Sequence, residues 1–409
     1  MPTAIDPASV FDPSTVFAPE TRADPSGVYR ALRESGPLHE YVPGIHLVPR
    51  YADCDAVFGD PAFGHGYFSG INPFRPGVDP NLLPGSFLLM DPPDHTRLRS
   101  LVSKAFTVRA VAALRTRVTE IVDGLLDAAI AAGEVDFVAE VAYLVPLTTI
   151  CELLGVPTAD HGVFGEWATA ISRGLDPDAL LTDEEKRARG VAVAAFAEYF
   201  AALIAERERE PGPDLLSGLV AVSEGGDRLS VKEIVDIGVL LLIAGFETTM
   251  NLIAGGVLAL ARAPEQRAIL REDPSLSRIA VEEFLRFDTP VPFPTRVAMR
   301  DVEFAGHTLP RGTGLILLAA SANRDPEVFA DPDQLDVLRF DPARGAARHL
   351  AFSHGPHFCL GAPLARLESE VLFERLMLRA PDYRLLAEQP EYRPSVSMRG
   401  PRALPVSFR

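Results

Sequence analysis

The chain has 409 residues, of which 47% are hydrophobic and 23% charged, and this balance indicates an ordered globular protein with a large core. The formal net charge of -17 argues against nucleic-acid binding, because contact with phosphates requires a positive surface. The three cysteines, Cys54, Cys151 and Cys359, are too few and too scattered for a disulfide framework, which fits a reducing cytoplasm.

The sequence also predicts that the protein does not associate with a membrane. Its first residues, Met-Pro-Thr-Ala-Ile-Asp, have neither the basic nor the apolar region of a signal peptide. The longest apolar tract, 237–261, is interrupted by Glu247, two threonines and Asn251, which favours a core helix over a membrane span. We therefore expect a cytoplasmic location.

The N-terminal region combines a helix with short strands. Residue periodicity predicts a helix over Ser26–Ser35, followed by strands at Leu38–Val42 and His46–Arg50. The next stretch, Gly64–Gly85, is rich in glycine and proline. A loop of this length in a compact protein is usually functional or disordered.

The middle of the chain is predominantly helical. Ser230 and Glu233 form a capping box that predicts the start of a helix, which could continue to about Arg262. The other predicted helical stretches are 95–117, 118–132, 141–154, 163–172 and 183–210. The last quarter mixes strands at 302–304 and 314–319 with loops. The expected fold class is mainly α with minor β (α+β), in a single domain over 1–409.

The most informative segment is the run Phe352-Ser-His-Gly-Pro-His-Phe-Cys-Leu-Gly361. It would present the thiol of Cys359 at the start of a helix, where backbone amides favour the thiolate, the metal-ligating form. Gly355 and Gly361 would allow backbone to approach a flat, bulky partner closely. These features suit an axial thiolate on haem iron.

Two other readings of this segment stay open at this point. Cys359 could be a small buried cysteine with a packing role. A metal cluster is also conceivable, because His349, His354 and His357 lie close to Cys359 in sequence, although the paired spacing of a zinc site is missing.

The segment resembles the haem-binding loop of the cytochrome P-450 family, whose pattern is Phe-Gly-x-Gly-x-His-x-Cys-x-Gly. Five residues fit this pattern, and Ser353 replaces its first glycine: Phe352, Gly355, His357, Cys359 and Gly361. The resemblance implies that Cys359 is the proximal ligand of haem b, that Phe352 and Gly361 frame the haem, and that His357 meets a haem propionate.

The predicted long helix contains Ala244-Gly-Phe-Glu-Thr-Thr249, a locally unfavourable combination of glycine and threonines in a helix interior. Sequences often break local rules where function requires it. The run resembles the oxygen-activating motif of the same family. The resemblance implies that Ala244 and Gly245 open a groove for dioxygen, that Thr248 hydrogen-bonds the bound oxygen, and that Glu247 delivers protons.

Further residues match the family's haem frame. The resemblance implies that His95, Arg99 and Arg296 bind the propionates together with His357. It also implies a structural bracket behind the haem loop, formed by the remaining matches: Glu283, Arg286 and Arg339.

The stretch 95–119 contains six basic residues and no acidic one until Glu120, although the chain as a whole is acidic. A basic patch on an acidic protein favours an acidic partner. We therefore expect a ferredoxin, supplied with electrons from NAD(P)H by a ferredoxin reductase, to dock on Arg97, Lys104, Arg109 and Arg115. The substrate pocket implied by the resemblance includes Phe87, Leu88, Leu240, Val291, Phe293 and Val396.

Together these features predict a bacterial haem-thiolate monooxygenase. It would insert one oxygen atom from dioxygen into a small hydrophobic molecule of polyketide, terpenoid or steroid-like type, by hydroxylation or epoxidation. The same machinery could instead perform oxidative coupling or desaturation. A non-catalytic haem protein is a third possibility, although binding alone does not need the Glu247–Thr248 pair.

Overall fold

The computed structural model describes residues 12–75, 87–224 and 226–409. The part of the predicted Gly64–Gly85 loop from residue 76 onward lies outside this range. The helices of the described residues are α1 Ser26–Ser35, α2 Tyr51–Gly59, α3 Asp94–Ala105, α4 Val108–Ala113, α5 Arg115–Ala132, α6 Leu144–Leu153, α7 His161–Arg173, α8 Asp183–Arg209, α9 Leu215–Ala221, α10 Val231–Arg262, α11 Pro264–Glu272, α12 Ser277–Phe287, α13 Ala319–Ala322 and α14 Ala362–Arg379.

Short strands form the β part of the molecule. They are β1 His39–Val42, β2 Ile45–Val48, β3 Phe63–Gly64, β4 Glu134–Asp136, β5 Ser223–Glu224, β6 Asp227–Arg228, β7 Thr295–Ala298, β8 Val302–Phe304, β9 His307–Leu309, β10 Gly314–Leu317, β11 Arg384–Leu385 and β12 Pro405–Ser407. The largest sheet has the order β1-β2-β10-β7-β3, in which the β2–β10 pair is parallel and the other pairs are antiparallel. A second sheet has the order β11-β12-β4.

Helix α10 is the centre of the helical part. The predicted capping box is confirmed: Glu233 N–H donates to Ser230 Oγ, and Ser230 N–H donates to Glu233 Oε2 at 2.7 Å. The helix runs for 32 residues and ends at Arg262, as predicted. It packs on α6, α7, α8 and α14 within one large hydrophobic cluster. Two smaller clusters lie around the five-stranded sheet.

The prediction of one continuous helical stretch over 95–117 is wrong in detail. The structure has α3, α4 and the start of α5 in this range. The first break occurs at Thr107, whose extended backbone and side chain cap α4 by accepting the N–H of Ala110 at 3.1 Å. A threonine hydroxyl competes well for such a helix terminus, and this local interaction outweighs the continuous helical periodicity.

Among the described residues, length and mean hydropathy alone would allow two helices to cross a membrane. For α10, 78% of the apolar window is buried within the protein, as expected of a core helix. For α8 the buried share is 28%. One or two such helices are weak evidence for a membrane protein, because core helices pass the same test.

Candidate active site

The loop before α14 has a bent backbone that depends on Gly355. This residue has a φ of 71°, and a Cβ built on it would lie 2.6 Å from the carbonyl oxygen of Phe58. Ser353, which replaces the usual glycine, also has a positive φ of 57°. The N–H of Cys359 donates to the carbonyl of Phe352 at 3.0 Å. The bend therefore places Cys359 three residues before α14 begins.

The thiol of Cys359 has neighbours that influence its ionisation in opposite directions. Burial raises its pKa, and this is the largest effect. The backbone amides of Gly361 and Ala362 and the guanidinium of Arg99 lower the pKa. The predicted amide stabilisation is thus present but is smaller than the cost of burial. A bound cation would add the further stabilisation that a thiolate requires here.

One face of α10 borders open space midway along the helix. Ala244 is exposed, and Gly245 and Thr248 are partly exposed, whereas Phe246 and Glu247 are buried. Residues three and four positions apart share a helix face, so Thr248 joins Gly245 and Ala244 in a single accessible surface. The hydroxyl of Thr248 donates to the carbonyl of Ala244 at 2.5 Å. The sequence motif thus corresponds to a local opening in an otherwise closely packed helix.

Glu247 lies in the same turn of α10 but is buried. It is 8% exposed, and burial raises the pKa of its carboxyl group. The guanidinium of Arg393 lowers that pKa and lies 3.8 Å away, from Nη1 to Oε1. A buried carboxyl with a single distant ion pair is suited to holding and releasing a proton.

Three histidines meet between α3, the Cys359 loop and the residues after β3. The ring centroids of His95 and His357 are 4.1 Å apart, and those of His65 and His357 are 4.5 Å apart. Among the described residues, Nδ1 and Nε2 of His95 and Nε2 of His65 are buried and have no hydrogen-bond partner. The buried Arg296 also lies in this region. Buried polar atoms without partners need an explanation, and a bound group that supplies the missing partners is one.

Charge supports the same interpretation. Burial, followed by the charge of Arg296, lowers the pKa of His357 to about 3, and burial lowers the pKa of Arg296 to about 10. Cations and neutral donors are thus concentrated where anionic partners would stabilise them. The two carboxylates of haem fit this cluster, and the nearby Cys359 fits as the iron ligand. We call His65, His95, Arg296 and His357 the donor cluster.

His65 belongs to this cluster but is not among the residues predicted from sequence. Its N–H and that of Gly66 donate to the carboxylate of Asp91 at 2.8 and 2.9 Å. The side-chain amide of Asn72 donates to the carbonyl of His65 at 2.6 Å. These bonds fix the position of His65. A single histidine in a glycine-rich loop gives no sequence signal for such a contact.

The predicted bracket forms as a buried ion network. Arg286 donates to both carboxylate oxygens of Glu283 at 2.7 Å, and Arg339 lies 3.1 Å from the same carboxylate. Arg286 also donates to the carbonyl of Asn323 at 2.9 Å. The side-chain oxygen of Asn323 then accepts the N–H of Leu350 at 2.7 Å, two residues before Phe352. The network is therefore linked to the start of the Cys359 loop.

A second acid supports the loop and was not predicted. Glu282 accepts hydrogen bonds from Arg366 at 2.6 and 2.8 Å, and lies 3.0 Å from Nε2 of His349. Arg366 stacks over the ring of Phe352, with 4.7 Å between its guanidinium carbon and the ring centroid. Within the described ranges, no group of three or more His, Cys, Asp or Glu side chains is arranged to hold a metal ion.

The predicted pocket residues lie in more than one place. Phe87 is buried beside His95, with 6.3 Å between ring centroids. Phe293 packs edge-on against Phe17, and it lines a small cavity together with Val396. Leu240 and Val291 are partly buried, and Leu88 is 44% exposed.

The predicted basic patch is smaller than the sequence suggested. Arg97 pairs with Glu233 and lies 3.5 Å from Asp227. Arg115 pairs with Glu370 at 2.5 Å. Their charges are therefore largely balanced by acids from other parts of the chain. Lys104 and Arg109 are exposed, and within the part of the chain that the structure describes Arg109 has no ion-pair partner. Arg99 instead donates to the carbonyl of Phe358.

The fold and site define a haem-thiolate protein: a cysteine before a helix, an open helix face, and a cluster of donors for two carboxylates. The family model "Cytochrome P450" matches residues 177–381, about half of the chain. The vitamin D(3) 25-hydroxylase of Pseudonocardia autotrophica is 42% identical over 392 residues, covering 94% of each chain. The cytochrome P-450 monooxygenase PikC of Streptomyces venezuelae is 41% identical over 397 residues, covering 95% of this chain and 92% of PikC.

Solved structures agree with these relatives. The cytochrome P-450 PksS of Bacillus subtilis superimposes with a TM-score of 0.86 at 34% identity, covering 97% of this chain and 99% of PksS. P-450BioI, solved in complex with an acyl carrier protein, gives a TM-score of 0.87 at 32% identity, with coverage of 96% and 99%. The chain belongs to the cytochrome P-450 family. The predicted fold class is confirmed, and the protein is an oxidoreductase of the monooxygenase class with a haem-thiolate cofactor.

Proposed function

We propose that the protein inserts one oxygen atom from dioxygen into a small hydrophobic molecule of secondary metabolism, by hydroxylation or epoxidation. The observation that carries the proposal is the combination of Cys359, three residues before α14, with the accessible face of α10 formed by Ala244, Gly245 and Thr248. The printed names of relatives include a vitamin D(3) hydroxylase, a mycinamicin IV hydroxylase/epoxidase and a polyketide-biosynthesis cytochrome. These names support a bulky apolar substrate of polyketide or steroid-like type.

Bound haem would supply reductive activation of dioxygen, and the thiolate of Cys359 would hold its iron. The donor cluster would hold the two haem carboxylates through charge-assisted hydrogen bonds. Gly245 lacks a side chain that could block the open face of α10. The hydroxyl of Thr248 can rotate between the carbonyl of Ala244 and a group in that space. Glu247, whose pKa is raised by burial, can hold a proton for transfer.

Electrons would come from NAD(P)H through a ferredoxin reductase and a ferredoxin. The exposed Arg109 and Lys104 support an acidic partner on this side of the protein. We extend the proposal to a cytoplasmic enzyme in which residues 1–409 function as one domain.

The first experiment is an absorption spectrum of the dithionite-reduced protein under carbon monoxide. We expect the red-shifted Soret band of thiolate-ligated haem in the wild type and its loss in Cys359→Ala. A band at the position of histidine-ligated haem, or no haem, would contradict the proposal. In a reconstituted ferredoxin system, Thr248→Ala should then consume NAD(P)H while releasing peroxide. Undiminished product per NAD(P)H in that variant would show that Thr248 is not part of proton delivery.

A further inference from the structure

The carboxyl group of Glu247 faces polar groups from three separate parts of the chain. Arg393, in the C-terminal segment, lies 3.8 Å away and lowers its pKa. Ser172 and Arg173, at the end of α7, also lower the pKa, whereas Asp176 raises it. Burial remains the largest effect and raises the pKa overall. The protonation of Glu247 therefore depends on how α7 and the C-terminal segment sit against α10.

The position of Arg393 is fixed by its own contacts. Its N–H donates to the carbonyl of Gly400 at 3.1 Å, and its Nε lies 3.4 Å from the carbonyl of Pro401. Its Nη2 lies 3.5 Å from the sulfur of Met250, on α10. The guanidinium is thus held beside the helix that carries Glu247, yet its distance to the carboxylate exceeds hydrogen-bond length. At this distance Arg393 influences the Glu247 carboxyl mainly through the Coulomb interaction of their charges, and less through a direct hydrogen bond.

Arg393 also borders a cavity of about 30 Å³. This volume can hold one or two water molecules, since a site for water needs roughly 10–15 Å³ on this measure. Polar groups that line the cavity include Arg22, Ser395 and Arg399. Water in the cavity would solvate the guanidinium of Arg393. It would also connect the surroundings of Glu247 to the polar groups that line this cavity, on a side other than the open face of α10.

Asp176 ties the end of α7 to the segment that follows Arg393. Its carboxylate is fully buried and accepts hydrogen bonds from the hydroxyl of Ser395 at 3.0 Å and the N–H of Ser397 at 2.8 Å. It also accepts the N–H of Val396 at 3.2 Å. Because this carboxylate joins the two segments, the docking of α7 helps to fix the segment that places Arg393.

We propose that Arg393 is a positioning residue that sets the protonation state of Glu247 through the charge it places beside α10. This inference rests on the proposed monooxygenase function, and it assigns the C-terminal segment a role in proton supply. The guanidinium keeps its own protons, because arginine does not deprotonate in proteins. Each proton that the Glu247 carboxyl gives up is replaced from water, with Arg393 biasing that exchange.

The test compares Arg393→Met, Arg393→Lys and a matched control, Arg402→Met. Arg402 lies in the same C-terminal segment but is exposed and pairs with Glu391 at 3.5 Å. The protonated carboxyl band of Glu247, identified by its absence in Glu247→Gln, is followed by infrared spectroscopy as pH rises. Since Arg393 lowers the pKa, its loss should move the titration midpoint to higher pH. Arg393→Lys and the control should stay near the wild type.

Turnover supplies a second, independent readout. In a reconstituted ferredoxin system, Arg393→Met should reduce product formation about tenfold and enlarge the solvent isotope effect. This loss of product formation is smaller than the roughly 10²–10⁴-fold loss expected on removing a proton donor itself. In the Glu247→Gln background the same substitution should have little further effect, because residues acting through one another are non-additive.

An unchanged infrared midpoint in Arg393→Met would overturn the proposal, even if stability and substrate binding fell. Full additivity with Glu247→Gln would overturn it as well. All variants are first checked for the reduced carbon-monoxide spectrum. A wild type without the thiolate band would refute the proposed function, whereas a normal spectrum with an unchanged midpoint would refute only the role of Arg393.

Discussion

Two groups of buried polar side chains adjoin the Cys359 loop, and they differ in how completely they are paired. In the bracket, Glu283 binds Arg286 and Arg339, and the guanidinium groups also donate to backbone carbonyls. In the donor cluster, His65 and His95 have buried ring nitrogens without partners among the described residues. Paired groups of this kind hold a structure together, whereas unpaired donors indicate where a ligand supplies the missing acceptors.

This difference in pairing also distinguishes the two roles that the family resemblance implies: a structural bracket behind the Cys359 loop, and binding of the haem propionates. The bracket is complete within the protein, so its contribution should be measurable as stability. The donor cluster has unpaired donors that we propose to be completed by a bound dianionic group, so its contribution should be measurable as cofactor affinity. Substitutions in each group therefore test whether the difference in pairing reflects a difference in function.

The largest effect is expected for Glu283→Gln. It leaves the buried charges of Arg286 and Arg339 without a counter-charge, which typically costs about 3–5 kcal/mol. Urea unfolding should show a lower midpoint with an unchanged slope. The matched control is Arg271→Gln, which breaks an exposed pair with Asp382 and should cost at most about 1 kcal/mol. Similar losses in the two variants would mean that the bracket has no special structural role.

Glu368, on α14, tests the rule that unpaired buried groups indicate a ligand. Both of its carboxylate oxygens are buried without partners among the described residues, and burial raises its pKa to about 8. It lies beside Thr149 on α6. We interpret it as a neutral acid that packs in the helical core. The Glu368 carboxyl group thus avoids the cost of an unpaired buried charge because it is protonated, and no ligand is needed.

Between pH 4.5 and 8, unfolded Glu368 releases its proton and the folded group keeps it, so folding stability should fall as pH rises through this window. Glu368→Gln removes this dependence. The variant should gain about 3 kcal/mol over the wild type at pH 7, and little at pH 4. Thermal unfolding across this pH range checks the prediction. A constant difference at all pH values would mean that the carboxyl is not neutral in the folded protein.

A smaller effect is expected in the donor cluster. His65→Phe and His95→Phe each remove a proposed donor to a haem carboxylate, and haem should dissociate about tenfold faster, as expected for one hydrogen bond to a charged group. Transfer of haem to an excess of an apo-haem acceptor protein measures this rate. His307→Phe, on an exposed strand, is the control. If His65→Phe behaves like this control, His65 does not contact the haem.

The sequence predicted elements well where local signals agree. For α10, the capping box at Ser230 and the long apolar tract over 237–261 indicated both ends of a 32-residue helix. The segment 95–117 was predicted poorly, because a single side-chain cap at Thr107 interrupts a helical pattern. The Cys359 loop and the open face of α10 were recognisable because their residues are contiguous or share one helix.

The residues that sequence analysis missed have partners far away along the chain. His65 meets His95 and His357, and Arg393 meets Glu247. Each pair forms only after the sheet, α10 and the C-terminal segment have packed together. The same reason explains the error about the basic patch, since Arg97 and Arg115 are neutralised by acids more than a hundred positions away. Charge counted along a segment does not show which charges remain unpaired.

That correction leads to the smallest expected effect, on the encounter with ferredoxin. If unpaired charge steers the partner, Arg109→Glu should slow reduction about threefold at low salt, and the difference should disappear as screening increases. Arg117→Glu is the matched comparison, because Arg117 lies close in sequence and is already paired with Glu152 at 2.7 Å. Stopped-flow reduction at several ionic strengths measures both. Equal slowing by the two variants would show that docking depends on the net charge of the whole stretch and not on which charges are unpaired. No slowing by Arg109→Glu would place the ferredoxin site elsewhere.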